Sequence, residues 1–233
     1  MIDSRLSEIA GIHSGDGYLR YIGKRKELDL SGSLEEKDYY DLFLKPLFES
    51  CFNVVVKSKY FPSRRTYGFV LRDKNVINSL IQLGFPSGKK TFIVRCPKEI
   101  LFSSNFQILS SFLRGYFDTD GCLFFDKKQT KFYYYPRIVI SSVSNGLIED
   151  VKIILIKLGF KPCYYIKKSK YINESDSYIL ILNGVKNLEL WMQLIGFNNP
   201  VKRTKYELWK ELGHCPPLSY KQRFYILNQC CSL

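Results

Sequence analysis

Two Asp-Gly pairs, at Asp16 and Asp120, end two short segments of similar sequence. Residues 9–17 read IAGIHSGDG and residues 113–121 read LRGYFDTDG, with glycine, aspartate and glycine at the same three places in both. Each segment has the apolar and small residues of a packed helix, and a glycine after the aspartate favours the backbone conformation that ends a helix. The sequence therefore predicts two helices that each present a carboxylate at the C-terminal end.

Two carboxylates at helix C-termini are electrostatically unfavourable unless a cation accompanies them. They repel each other, and each also meets the negative end of a helix dipole. Carboxylate oxygens are hard ligands that suit Mg²⁺, with Mn²⁺ as a substitute. One Asp-Gly pair alone is more often an ordinary solvated helix end, but two in matched repeats favour a metal site formed by Asp16 and Asp120.

Small residues four positions apart predict how the two helices meet. Gly11 and Gly15 have this spacing in the first segment, and Gly115 and Thr119 have it in the second. Helix backbones can approach closely where side chains are absent, as in the small-residue contacts best known from membranes. We expect these four residues to form the interface between the helices, which would bring the two aspartates side by side.

The repeat extends beyond these segments. Residues 80–91, LIQLGFPSGKKT, have a counterpart in residues 192–204, MQLIGFNNPVKRT, so both halves begin and end alike. Alternating and helical periods between these anchors predict an α+β fold of duplicated αββαββα units with pseudo-two-fold symmetry. The predicted organisation is a first subdomain at 1–104, a second at 105–204 and a C-terminal helical extension at 205–233.

The predicted elements follow the same order in each half. In the first half, they are a hairpin within 18–33, a helix at 34–50 that Pro46 could kink, a hairpin within 53–73 with a basic tip at 63–65, and a helix at 74–84. In the second half, they are strands within 122–144, a helix at 145–159, strands at 161–168 and 176–183, and a helix at 185–196.

The composition favours a nucleic-acid partner. The 233 residues include 35 Lys and Arg against 22 Asp and Glu, a formal net charge of +13, and the basic residues are spread along the chain. Such an excess suggests a polyanion, although a basic surface without a partner is the plain alternative.

The seven cysteines form no C-x-x-C pair, and no window reads as a signal peptide or membrane span. We expect no membrane association, reduced thiols and a cytoplasmic, nucleoid-associated protein, or an organellar one if organelle-encoded.

Both Asp-Gly segments resemble the nine-residue LAGLIDADG motif of homing endonucleases, with Asp16 and Asp120 at its eighth position. The resemblance runs from about residue 5 to residue 210 and is closest to the double-motif, monomeric subclass. It implies a central pair of packed LAGLIDADG helices and two antiparallel β-sheets that form a DNA-binding saddle. It also implies a site-specific enzyme that cleaves both strands of a long, pseudo-palindromic double-stranded DNA target by metal-dependent phosphodiester hydrolysis.

The resemblance also assigns site residues. The two aspartates and the backbone carbonyls of Gly15 and Thr119 would bind the metal, Mg²⁺ or Mn²⁺. Lys202 in the second half and either Lys89 or Lys90 in the first align with family lysines that act on the reacting phosphate. The metal ions would position water, neutralise the phosphorane charge and stabilise the leaving 3′ oxygen.

The strand segments supply the expected DNA contacts, because a two-stranded ribbon fits the major groove and alternate side chains can reach base edges or phosphates. In the first half these residues are Arg20, Lys24, Arg25, Lys26, Lys57, Lys59, Arg64, Arg65 and Arg72. In the second half they are Lys127, Lys128, Lys131, Arg137, Lys167, Lys168 and Lys170.

The first motif departs from the family pattern at two positions. Ser14 replaces an acid at the sixth position, and His13 takes a usually apolar place, where we expect a packed helix residue rather than a metal ligand. These departures leave an alternative open: a non-cleaving descendant that acts as an RNA maturase on intron RNA or as a DNA-binding regulator. An intein endonuclease domain is a third reading, but no nucleophile at the start or His-Asn at the end indicates self-splicing, so an intron-encoded or freestanding protein is favoured.

Overall fold

The computed structural model describes residues 2–23, 25–171 and 174–230. The first half contains α1 (Ser4–Ser14), β1 (Gly17–Ile22), β2 (Arg25–Ser33), α2 (Lys37–Tyr39), α3 (Lys45–Phe52), β3 (Lys59–Phe61), β4 (Thr66–Leu71) and α4 (Lys74–Gln82). The short α5 (Lys98–Leu101) precedes the second half, which contains α6 (Phe106–Asp120), β5 (Cys122–Asp126), β6 (Tyr135–Ser142), α7 (Asn145–Lys157), β7 (Cys163–Lys167), β8 (Ser177–Asn183) and α8 (Val185–Leu194). Helices α9 (Pro200–Leu212) and α10 (Tyr220–Cys230) follow.

Each half builds one antiparallel four-stranded sheet, in the order β1-β2-β4-β3 and β5-β6-β8-β7. The registers also correspond, because Arg20 pairs with Glu27 four residues after Asp16, as Phe124 pairs with Arg137 four residues after Asp120. The predicted α+β duplication with two sheets and a central helix pair is therefore confirmed.

The sheets turn one face toward the helices and leave the other open. In the first sheet the core face carries Leu19, Leu28 and Phe69, which are at most 1% exposed. In the second sheet Ile138 and Leu182 are paired neighbours on the corresponding face, 1% and 2% exposed. Alternate residues point to the open face, as the two-residue period of a strand requires.

The helical stretch at residues 34–52 shows how the chain accommodates Pro46. A 3-10 turn (Leu34–Glu36) leads into α2, and a π-helical turn (Tyr40–Leu44) joins α2 to α3. Proline has no N–H and its ring crowds the carbonyl four residues earlier, so a wider turn before it avoids the clash. The kink predicted at Pro46 takes the form of this π turn.

Two predicted boundaries differ from the observed elements. The first strand of the second hairpin is only Lys59–Phe61, because residues 53–58 are irregular after Asn53, which ends α3 in the left-handed conformation at φ 52°. The predicted end of the second subdomain at 204 falls inside α9, the helix that carries Lys202. No described helix combines the length and hydropathy required to cross a membrane.

Candidate active site at the helix seam

Helices α1 and α6 pack against each other through two glycines in equivalent places. A Cβ atom on Gly11 would lie 2.1 Å from the carbonyl oxygen of Phe112, and one on Gly115 would lie 2.2 Å from the carbonyl oxygen of Glu8. No side chain fits at either position, so glycine permits the direct backbone contact. We call this contact of α1 with α6 the seam.

Gly15 and Thr119 meet at the C-terminal end of the seam. A Cβ on Gly15 would lie 2.1 Å from Thr119 Oγ1 and 3.2 Å from the carboxyl carbon of Asp120. The Thr119 hydroxyl donates to the carbonyls of Tyr116 at 2.9 Å and Gly115 at 3.2 Å, which holds it against its own helix. The seam therefore contains all four small residues expected there, and it brings Asp120 next to the residue that precedes Asp16.

Asp16 lies in a cluster of oxygens over Gly32. Glu36 Oε2, the Tyr40 hydroxyl and Asp16 Oδ2 lie 2.8, 3.0 and 3.1 Å from the point where a Gly32 Cβ would be. Tyr40 donates a long hydrogen bond of 3.4 Å to Asp16 Oδ2. Glu36 and Tyr40 were not predicted as site residues, because only the folding of residues 34–52 against β2 brings their side chains next to Asp16.

The environment favours the neutral form of both aspartates. Burial, the Asp120 carboxylate and the Glu36 carboxylate together raise the pKa of Asp16 to about 7, while Lys202 and Tyr40 oppose the rise. Burial also raises the pKa of Asp120, and the charges of Lys90 and Lys202 oppose that rise. The pair thus retains the repulsion expected from its position and would gain from an added cation.

In each half, one lysine binds the C-terminal end of the motif helix. Lys90 Nζ donates to the carbonyls of Ser14 at 2.9 Å and Gly15 at 2.6 Å. Lys202 Nζ donates to the carbonyls of Phe117 and of Thr119, the latter at 3.1 Å. An ammonium group is favoured at these helix C-termini because the last carbonyls are unpaired and carry the negative end of the dipole.

The structure also distinguishes Lys89 from Lys90, which the sequence left as alternatives. Lys89 is exposed and makes no contact with the seam, whereas Lys90 is half-buried against it. Burial lowers the pKa of Lys90, and the carboxylates of Asp120 and Asp16 counteract that effect. Lys90 is therefore the geometric counterpart of Lys202.

The second lysine has a far more rigid setting than the first. Lys202 is 7% exposed in the first turn of α9, after the N-cap Asn199. Asp118 Oδ2 accepts the backbone N–H groups of Asn198 at 2.7 Å and Asn199 at 3.1 Å, which ties this helix start to α6. The Asn199 side chain donates to Glu36 Oε1 at 2.7 Å, which links this helix start to the first half.

The donor atoms at the seam suit a hard divalent cation. Asp16, Asp120 and the carbonyls of Gly15 and Thr119 offer only oxygen, and the two carbonyls already accept hydrogen bonds from cationic lysines. No three His, Cys, Asp or Glu side chains converge in a metal-binding arrangement within residues 2–23, 25–171 and 174–230. Mg²⁺ commonly binds one or two carboxylates and takes its other ligands from water and substrate phosphate, so this sparse set fits it.

His13 is a core residue. Its ring is fully buried and meets Phe85 edge-on at 4.5 Å between ring centres, and neither ring nitrogen has a hydrogen-bond partner in the described chain. Burial and the nearby Lys90 charge lower its pKa to about 3, so the ring is neutral at physiological pH. This packed role is the one expected from the sequence.

The predicted DNA-contacting residues divide between the open sheet faces and the loops. Those on the open faces, at strand positions or next to them, are Arg20, Arg25, Lys59, Arg72, Arg137 and Lys167. Those in or beside the turns and loops at the sheet ends are Lys26, Lys57, Arg64, Arg65, Lys127, Lys128, Lys131, Lys168 and Lys170. Lys24 lies outside the described residues.

Several of these cations are paired within the protein, which the sequence did not indicate. Arg20 and Arg72 both bind Glu27, at 2.9 and 3.3 Å, and Arg64 binds Asp29 at 2.8 Å. In the second half Arg137 binds Asp126 and Lys168 binds Asp176. These pairs fix the side chains and reduce the positive charge of the first open face.

Sequence comparison identifies the second half directly: residues 107–196 match the LAGLIDADG-like domain. The first half repeats the topology and the strand register of that domain. Residues 107–196 therefore form a LAGLIDADG-like domain. The resemblance inferred from the two motifs is thus confirmed, and the fold places both motif helices at the centre of the protein.

Solved structures of the same fold include both nucleases and a protein of another kind. A structure of I-DmoI in complex with DNA and Mn has a TM-score of 0.56 at 17% identity, over 83% of this chain and 96% of that chain. The homing endonuclease I-WcaI bound to its DNA recognition sequence has a TM-score of 0.50 at 15% identity, over 86% and 85%. The N-terminal LAGLIDADG domain of DUF199/WhiA has a TM-score of 0.52 at 15% identity, over 83% and 81%. At these identities the likeness concerns the fold.

Curated relatives contain a similar segment within much longer proteins. The probable translation initiation factor IF-2 of Thermococcus kodakarensis is 30% identical over 139 residues, 58% of this chain and 11% of the relative. A glutamine–fructose-6-phosphate aminotransferase of Methanocaldococcus jannaschii is 28% identical over 208 residues, 87% of this chain and 17% of the relative. The chain thus spans less than a fifth of the length of these proteins.

Proposed function

We propose that this LAGLIDADG protein is a metal-dependent, site-specific endodeoxyribonuclease that cleaves both strands of a long double-stranded DNA target. The single observation that carries the proposal is the pairing of Asp16 and Asp120 at the end of the seam, with Lys90 and Lys202 bound to the adjoining carbonyls. Two equivalent sets of an acid and a lysine suit two phosphodiesters related by the pseudo-two-fold axis.

The acids and carbonyls at the seam would hold Mg²⁺ or Mn²⁺, as proposed from the motif. The bound ion would supply an activated water, charge neutralisation at the phosphorane and stabilisation of the leaving oxygen. Solved I-DmoI structures are described with DNA and Mn or with target DNA and Mg, which supports the same cofactor class here.

The residues of the chain contribute position and charge. Asp16 and Asp120 would align the reacting phosphates on the two strands, because each follows a motif helix of fixed orientation. Lys90 and Lys202 place ammonium groups within the same cluster, where positive charge stabilises a phosphate that gains negative charge in the transition state. The basic loops at the sheet ends would bind the DNA backbone and set its register.

The sequence context of the relatives is consistent with an independent module. Similar segments occur in a translation factor and an aminotransferase, whose names describe unrelated activities. A domain with its own activity, carried in different protein contexts, accounts for this distribution. Intron-encoded or freestanding occurrence and a monomeric state remain part of the proposal.

A specific observation favours a second candidate function. The WhiA domain has the same fold, and the first motif here has Ser14 where the second has Asp118. A protein that binds DNA as a regulator, or intron RNA as a maturase, would use the same basic surface without cleavage. The two retained aspartates favour the nuclease over this alternative.

The test is incubation of the purified chain with Mg²⁺ and a library of randomised long duplexes, followed by sequencing of new ends. The nuclease predicts staggered ends around one long motif, absent when Mg²⁺ is chelated and absent for the double variant Asp16→Asn with Asp120→Asn. The matched control is Glu211→Gln, which removes an exposed carboxylate in the last turn of α9, away from the seam. Retention of intact DNA without cleavage, even with Mn²⁺, would favour the regulator, and selective retention of structured RNA would favour the maturase.

A further inference from the structure

The open faces of the two sheets have the same backbone but opposite chemistry. The register makes Arg20 equivalent to Phe124, Asp29 equivalent to Val139 and Lys59 equivalent to Tyr165. At each of these places a charged side chain of the first half is replaced by an apolar or aromatic one in the second. The reverse holds at Phe61, which is equivalent to Lys167, so the two faces present different groups rather than the same ones.

The first open face presents donors and acceptors in fixed positions. Glu27 lies between Arg20 and Arg72, and Asp29 binds Arg64, so both charges and their orientations are set before any ligand arrives. Arginine suits guanine O6 and N7 in the major groove, and a carboxylate accepts from the cytosine amino group. This face is suited to G·C pairs.

The second open face is largely apolar. Ile179 and Ile181 pair with Ser141 and Val139 on this face and are each 8% exposed, yet they lie apart from the main core. Tyr165 pairs with Ile179 and Phe124 lies on the same face at the far side of β6, 45% and 37% exposed. Among the described strand residues of this face, charge is confined to Lys167 and to the ion pair of Arg137 with Asp126.

Charge at the margins of this face indicates what covers it. Lys127, Lys128 and Lys131 lie in the loop at one end, and Lys168 and Lys170 lie in the loop after β7. Lys168 already binds Asp176. A protein partner that matched only the apolar centre would leave Lys127, Lys128, Lys131 and Lys170 without a counter-charge, whereas a DNA groove offers apolar atoms at its floor and phosphates along both edges. The thymine C5-methyl group is the apolar feature that the major groove presents.

We infer that the second sheet reads a thymine-rich half-site through contacts with thymine methyl groups, while the first sheet reads G·C pairs through charged side chains. The inference rests on the proposed DNA-binding function and adds the base composition of each half of the target. Phe124, Val139 and Tyr165 are then the specificity-determining residues of the second half-site.

The experiment uses the target selected from the duplex library and replaces thymine by deoxyuridine in one half-site at a time, which removes the methyl group and nothing else. Binding is measured in Ca²⁺ so that cleavage does not intervene. Each methyl contact that is lost is expected to weaken binding about threefold. The loss should be confined to one half-site, and it should disappear in Phe124→Ala but persist in Arg20→Ala, the substitution at the equivalent position.

The outcomes separate this inference from the proposed function. Specific binding with equal or no sensitivity to deoxyuridine in both half-sites overturns the inference and leaves the nuclease intact, as does a target without thymine in either half. Sensitivity that persists in Phe124→Ala and disappears in Arg20→Ala overturns it as well. A dimer in solution that Val139→Lys dissociates, with DNA binding unaffected by Phe124→Ala, would show that a second copy covers the face. Failure to bind any duplex removes both proposals.

Discussion

The two halves of this protein share a backbone plan, but they support their half of the seam differently. Gly11 and Gly115 make the same backbone contact, and Lys90 and Lys202 bind equivalent carbonyls. Behind these shared features, Asp118 anchors the start of α9 in the second half, whereas Ser14 only donates to the carbonyl of Ala10 at 2.8 Å. The glycine contacts and the lysine contacts at the seam are therefore equivalent in the two halves, whereas the hydrogen bonds of Asp118 and Ser14 behind the seam are not.

This difference gives the two motif aspartates unequal surroundings. Lys202 is buried on a helix that a carboxylate holds, while Lys90 lies at the start of a turn whose Ile93 and Val94 N–H groups donate to the Lys90 carbonyl. Glu36 stands beside Asp16 and raises its pKa, whereas burial is the cause that raises the pKa of Asp120, so a third carboxylate acts on one site only. We therefore expect symmetric behaviour from substitutions in the seam and asymmetric behaviour from those behind it.

The largest effect is expected from Gly11→Ala and Gly115→Ala. Each added methyl group would lie about 2 Å from a backbone carbonyl, so the helices must separate, with an expected loss of about 3 kcal/mol or more in the free energy of unfolding. Urea denaturation measures both. Gly23→Ala, in an open turn at φ 56°, is the control and should cost only about 1 kcal/mol. If Gly11→Ala and Gly115→Ala lose very different amounts of unfolding free energy, the two glycine contacts are not equivalent.

The second-largest effect on stability is expected at Asp118, and it should distinguish Asp118 from Ser14, its equivalent in the first half. Asp118→Ala leaves the N–H groups of Asn198 and Asn199 without their acceptor and should lower the free energy of unfolding by about 2 kcal/mol or more. Ser14→Ala at the equivalent position removes one weak hydrogen bond and should change stability by less than about 1 kcal/mol. Asp118→Asn keeps an acceptor oxygen and should recover part of the loss. Equal stability of the two alanine variants would contradict the asymmetry.

The third effect concerns pH. The pKa of Asp16 is raised from its ordinary value near 4 to about 7 in the folded protein, so the destabilisation it causes is absent below about pH 4, grows as the pH rises from 4 to 7 and is complete above 7. In metal-free buffer Asp16→Asn should therefore be more stable than the natural chain at pH 8, by about 2 kcal/mol, and equal to it near pH 4.

The comparison with Asp120→Asn sharpens this test. Asp120 reaches solvent and has no counterpart of Glu36, so its asparagine variant should gain less stability at pH 8. Glu36→Gln should reduce the gain from Asp16→Asn, because it removes one source of the repulsion. Thermal unfolding in EDTA at the two pH values measures the natural chain, the three single variants and the double variant of Asp16→Asn with Glu36→Gln. A gain for Asp16→Asn that is equally large at pH 4 would show that its cause is packing rather than charge.

The smallest effect is expected from single basic residues at the sheet ends. Arg25→Gln and Lys131→Gln each remove one exposed cation at the first hairpin of a half. Each should weaken DNA binding to a similar extent on all sequences and reduce the slope of log K against log salt by about 1. Isothermal titrations at several salt concentrations measure the slope. An unchanged slope would show that the residue does not contact phosphate.

The sequence predicted what the repeated motifs encode locally. The spacing of Gly11, Gly15, Gly115 and Thr119 anticipated the seam, and the two Asp-Gly pairs located its C-terminal end. The order of hairpins and helices was also predictable, because alternating and helical periods are properties of neighbouring residues. The choice between Lys89 and Lys90 was not predictable, because both follow Gly88 in a segment without regular structure.

Features that depend on tertiary proximity escaped the sequence analysis. Glu36 reaches Asp16 only because the helical stretch at 34–52 folds back on β2, and Asp118 meets Asn199 across a long separation in sequence. The basic stripe expected on the second sheet lies mostly in its loops, because the strand positions equivalent to Arg20 and Lys59 hold Phe124 and Tyr165. Register decides which side chains share a face, and the sequence alone does not fix the register between distant strands.

The central claim, that Asp16 and Asp120 form two equivalent reaction centres for two strands, is tested most directly by strand-resolved cleavage. The selected duplex is labelled separately on each strand and incubated in Mg²⁺ with the natural chain, Asp16→Asn and Asp120→Asn, at protein concentrations that saturate binding. The account predicts that the natural chain cuts both strands and that each variant binds the duplex but loses cleavage of one or both strands by a factor of about 10³. Undiminished cutting of both strands by either variant would contradict it.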